Sequence, residues 1–176
     1  PSLGVASQPA DLFGDERIPA VHVTRVTPRA SGLDPWITVA VINWEDHERV
    51  LTVPIPPEAG ERLLVWEFFE QRFVGLFQRG DSLPVAVPAH GTRLLRIAAW
   101  AGRSLALLGT DRHFSMGGVE LADWRAGDNT VAARVCSPWP GEFTLWFAAP
   151  GRDSGAPQII ARRVRDGDLL NERNDR

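Results

Sequence analysis

The chain has 176 residues, 44% hydrophobic and 23% charged, with a formal net charge of -3 at pH 7. This is the composition of a globular protein and excludes wholesale disorder. The acidic balance offers phosphates no basic field, and no apolar run approaches the roughly 18 residues that span a membrane, so neither nucleic acid nor a membrane is an expected partner.

Residues 1–20 have no hydrophobic periodicity and read as a loose segment. The start at Pro1 rather than Met reads as a processed protein or a piece of a longer one. From Val21 the apolar positions recur at spacing two, in Val21 and Val23, then Ile37, Val39 and Val41, then Leu51 and Val53. Period two predicts strands, and the prolines and glycines between these runs supply turns. The segment from Arg62 to Phe77 is apolar almost all round, but its β-branched and aromatic content and Gly75 favour a hairpin over a helix. Its strands are expected at Leu63 to Phe69 and Arg72 to Phe77, turning at Glu70 and Gln71.

Further strands are expected at 83–87, 92–98, 105–108, 118–124, 130–136 and 142–148. Residues 99–104 read as a joint between a main half, 21–98, and a second half, 105–164, with a loose charged tail at 165–176. The predicted fold is all-β, an antiparallel β-sandwich of Greek-key character, either as one core or as two packed β subdomains.

The residues that carry chemistry are dispersed. His22, His47, His90 and His113 form no HxH or HxxxH pair, and the single cysteine, Cys136, excludes an internal disulfide and a thiolate cluster, so no metal and no cofactor are expected. Cys136 reads as a small buried hydrophobe. No GxSxG elbow and no glycine-rich strand-to-helix cradle occur, so no catalytic residue is assigned. The acidic residues mostly flank turns, as in the run from Trp44 to Glu48.

Among the seven tryptophans, Trp139 stands between two prolines, and Trp146 alternates with Phe143, Leu145 and Phe147, which points it to the outer face. These two are the candidates for stacking on a sugar ring. The crossing from Gly109 to Ser115 reads as structural: Asp111 accepts bonds from turn amides or from Arg112, His113 caps a carbonyl, and Gly117 and Gly118 supply permissive backbone.

Asn43-Trp44, Trp66-Glu67-Phe68, Pro88-Ala89-His90-Gly91 and Gly109-Thr110-Asp111-Arg112-His113 form an ordered set. With their flanking strands, over about residues 18 to 148, they resemble the C-terminal β-sandwich region of bacterial α-galactosidase-like, melibiase-type glycoside hydrolases. The resemblance implies a non-catalytic accessory domain that stabilises or orients an upstream (β/α)8 barrel of the same polypeptide. Such barrels place their nucleophilic Asp in a Lys-x-Asp setting, whereas every basic residue of this chain other than His is Arg. Trp44, Trp66, Asp111, Arg112 and His113 are then candidates for interdomain or turn-structuring roles. Removal of the barrel implies an uncovered aromatic surface, containing at least one of Trp36, Trp44, Trp66 or Trp146, that self-association would cover. The alternative is an independent carbohydrate-binding module using exposed tryptophans.

Overall fold

The computed structural model describes residues 7–11, 18–55, 59–127, 129–151 and 156–173. They form antiparallel sheets that do not close into a barrel, in agreement with the predicted all-β sandwich class, and no α-helix occurs among them. The chain divides into two compact units, Pro1–Val26 with Trp36–Ala99, and Thr27–Pro35 with Trp100–Arg176.

In the first unit the strands are β1 (Gln8–Pro9), β2 (Val21–Val26), β3 (Trp36–Ile42), β4 (Arg49–Pro54), β5 (Arg62–Glu67), β6 (Arg72–Gln78), β7 (Ser82–Val87) and β8 (Thr92–Ala99). Six of them pair in the order β1-β2-β3-β8-β5-β6, and β4 pairs with β7 as a second sheet. The alternation visible in the sequence sets the packing. Val39, Val41, Leu63, Val65, Leu95 and Ile97 from the larger sheet meet Val53, Leu83 and Val87 from the smaller in one buried core.

The hairpin expected between Arg62 and Phe77 forms, but β5 ends at Glu67 rather than Phe69. The Glu67 carboxylate accepts the amide protons of Glu70 and Leu94, which turns the chain out of the sheet and leaves Phe69 57% exposed. Gln71 completes the turn at φ 50°.

The second unit contains β9 (Ala106–Thr110), β10 (Leu121–Ala126), β11 (Thr130–Val135), β12 (Phe143–Ala149), β13 (Gln158–Val164) and β14 (Leu169–Arg173). Its sheets run β10-β11-β14 and β13-β12-β9, around a core that includes Leu107, Leu121, Trp124, Val131, Phe143, Leu145 and Phe147.

Leu121 and Trp124 both enter this core although three residues apart, an odd spacing that a regular strand would send to opposite faces. The register shift between Ala122 and Arg125, with Asp123 at φ 55°, is the β-bulge that turns both inward.

Three sequence expectations change. Residues 27–35 belong to the second unit rather than the main half: Ala30 and Leu33 pack against its core, and the Arg29 amide donates to the Gly118 carbonyl. Gly32, at φ 82°, passes so close to the Trp124 carbonyl that a Cβ there would lie 2.6 Å from its oxygen.

The tail is not loose through its described part, because β14 pairs with β11 over Leu169 to Arg173. Its strand character is hidden by charge: Leu170 and Glu172 both point inward, and the buried Glu172 carboxylate is held bidentately by Arg162.

At the other end, Gln8–Pro9 pairs with β2, and Asp11 accepts the amide protons of Ala20 and Val21. Residues 1–6, 12–17 and 174–176 of the predicted loose ends lie outside the described residues.

Candidate functional site

The crossing from β9 to β10 and the loop from Ser137 to Glu142 build the candidate site, wholly within the second unit. At the end of β9 the Asp111 amide donates to the Thr144 carbonyl, and Asp111 Oδ1 accepts the Thr144 amide proton at 2.8 Å. Thr110 Oγ1 accepts the Arg112 amide proton at 2.9 Å. These bonds fix where the next two side chains leave the backbone. His113 Nδ1 accepts the Ser115 amide proton at 3.1 Å and lies 2.8 Å from Ser115 Oγ, which assigns the ring proton to Nε2. Burial lowers the His113 pKa below the usual imidazole value, favouring the neutral ring.

Opposite this ring, Ser137 Oγ accepts the Trp139 amide proton and donates to the Trp139 carbonyl, holding the indole between its two prolines. The rings of His113 and Trp139 stack with centroids 4.8 Å apart, and the 59%-exposed Phe114 lies against His113 at 3.9 Å. The Arg112 guanidinium lies 5.9 Å above the Phe143 ring and beside Gly141, where a Cβ would meet it at 3.5 Å. Buried Nε of Arg112 has no hydrogen-bond partner among the described residues. The result is a small aromatic surface with a guanidinium at its edge, suited to stacking and hydrogen bonding.

Under the crossing, Glu120 is completely buried. Its carboxylate accepts the Val119 amide proton and a bond from Thr110 Oγ1, and burial raises its pKa. It is enclosed by turn amides. Cys136, half-buried rather than fully buried, has its thiol pKa raised by desolvation, which makes it a poor nucleophile. No three metal-ligating side chains converge among the described residues.

Asp111, Arg112, His113 and Trp139 are thus brought together, and the others are not. Trp146 is half-buried on β12, on the face opposite Phe143, Leu145 and Phe147, in line with strand parity. Trp44, 48% exposed, and Trp66, 2% exposed, lie in the first unit; the Trp44 indole donates to the Pro19 carbonyl. Trp36 is buried as well, under the Arg96 guanidinium at 4.0 Å. Sequence reasoning missed Phe114, Ser137 and Gly141 as members of the site. The proline-flanked Trp139 is the local signal that points to Ser137 and Gly141, while the exposure of Phe114 has none.

No protein-family model and no curated protein matches this chain.

Proposed function

We propose that this chain is a non-catalytic accessory β-sandwich region of an α-galactosidase-like glycoside hydrolase, stabilising or orienting a (β/α)8 barrel carried upstream on the same polypeptide. The observation that supports this reading is how the polar residues of the resembling motifs are used. The Asn43 amide donates to the carbonyls of His47, Val87 and Pro88. Glu67 ties Glu70 to Leu94, and Asp111 ties β9 to β12. Each is a fastener between backbone segments, so the polar groups of these motifs are spent on holding the fold. Exposed Trp44 and Phe69 are apolar groups that a barrel would cover.

The test compares the chain alone with the polypeptide carrying its upstream segment, using an aryl α-galactoside and thermal inactivation. The expected result is no turnover by the chain alone, turnover by the longer polypeptide, and faster inactivation of that enzyme when residues 1–176 are deleted. Hydrolysis by the isolated chain refutes the proposal, as does an inactivation rate that the deletion leaves unchanged.

The stack of His113 on Trp139, with Phe114 exposed beside it, favours a second reading as a carbohydrate-binding module. Saturable glycan binding by the isolated chain, abolished by Trp139→Ala, would support it, and binding that survives the substitution would remove this surface from the account.

A further inference from the structure

The outer face of the sheet β10-β11-β14 carries an open trough that the sequence does not announce. Two adjoining depressions, of ≈ 380 and ≈ 580 Å³, share Arg125, Ala132 and Asn171 as lining. Pairing register creates this grouping. Ala132 lies opposite Arg125 on one side and Asn171 on the other, and Arg134 lies opposite Leu169. The Asp123 bulge then swings a carboxylate onto Arg134 at 2.7 Å and sends Arg125 outward.

The charge of this face is unlike that of the whole chain. Arg125, Arg134 and Arg173 line it, whereas Asp123 is its one outward carboxylate among the described residues, since the neighbouring Glu172 turns into the protein and pairs with Arg162. Among the described residues no ion pair or side-chain hydrogen bond holds Arg125. Among the described residues the trough is net positive, on a chain of formal charge -3, which marks an anion as its complement.

Shape and chemistry narrow the class. From Thr130 to Arg134 the β11 strand carries the trough over about 13 Å, a length suited to a short chain rather than a single small ion. The small floor at Ala132 lets a ring lie close to the sheet. Asn171 can both donate to and accept from hydroxyls, and Leu169, 76% exposed, offers an apolar edge. The lining has no aromatic platform of the kind that holds single-stranded nucleic acid.

We infer that this trough binds a short acidic oligosaccharide, with a uronate carboxylate received by Arg125 and sugar hydroxyls by Asn171. The inference goes beyond the proposed accessory role and does not depend on an upstream barrel. A planar guanidinium facing solvent matches a carboxylate bidentately, and Arg134 stands one strand away to share the charge.

Titration calorimetry of the intact chain with trigalacturonate, neutral galactotriose and a triglutamate peptide tests it. The expected result is saturable binding of trigalacturonate that weakens with added salt, with galactotriose and triglutamate each weaker by about tenfold or more. Arg125→Gln, at an exposed position where folding is checked by circular dichroism, should weaken trigalacturonate binding about tenfold. Asp123→Asn should instead tighten it, by about threefold, because it frees Arg134 and removes a repelling carboxylate while Asn keeps the positive φ. No trigalacturonate binding up to about 10 mM overturns the inference, as does indifference to both substitutions or equal binding of the neutral sugar or the peptide.

Discussion

His113 and Trp139 stack with ring centroids 4.8 Å apart and planes inclined at 22°, each ring presented by its own loop and each loop closed by a serine hydroxyl. Because the contact joins the crossing to the Ser137 loop, Trp139→Ala should cost about 0.5–1.5 kcal/mol beyond the lost burial, whereas Trp139→Phe should retain most of it. Urea denaturation followed by circular dichroism measures both, and an unchanged midpoint for the alanine variant would show that the stack carries no stability.

The same imidazole makes stability depend on pH. Its folded pKa lies below the ordinary 6.5, so the unfolded chain takes up the proton first as pH falls. The contribution is fully present above pH 6.5 and is lost as pH falls through the folded value. His113→Gln should flatten that part of the stability profile. A slope below pH 6.5 identical in the variant would assign it to another group.

Glu120 has the opposite sign. Burial raises its folded pKa above the ordinary 4.5, so the folded chain binds the proton first, and the contribution is full below pH 4.5 and lost as pH rises through the folded value. Glu120→Gln should remove this dependence while leaving the His113 slope. Comparing the pH profiles of the two single variants separates the groups.

Gly117 is held at φ 109° where a Cβ would lie 2.4 Å from Leu107 Cδ2. Gly117→Ala should therefore destabilise by about 1–3 kcal/mol through backbone strain and overpacking. Adding Leu107→Ala should cost less in this background than in the parent, a coupling read from a double-mutant cycle. Strict additivity would contradict the contact.

The Asn43 amide nitrogen faces three carbonyl oxygens, so an isosteric carboxylate there would repel all of them. Asn43→Asp is expected to cost about 3 kcal/mol or more. Trp44→Ala, at the exposed neighbour, should stay within about 0.5 kcal/mol. Thermal melts of the two variants should rank them clearly, and a neutral Asn43→Asp would show that the fastener is dispensable.

What the sequence determined by itself is local. Alternation at spacing two, interrupted by glycine and proline, located most strands of both units, because an apolar face two residues in period has only one regular backbone that can bury it. The proline-bracketed Trp139 and the Gly109 to Ser115 crossing were legible for the same reason. Tertiary structure decided what depends on pairing between distant segments. Strand β14 was hidden because Glu172 looks solvent-facing until Arg162 neutralises it inside the fold. Residues 27–35 joined the second unit through the close pass of Gly32 over the Trp124 carbonyl. His113 met Trp139, and Arg125, Arg134 and Asn171 met across three strands, through register and one bulge at Asp123. Register is set by the packing of whole faces and by backbone geometry at single positions, and the linear order of residues records neither.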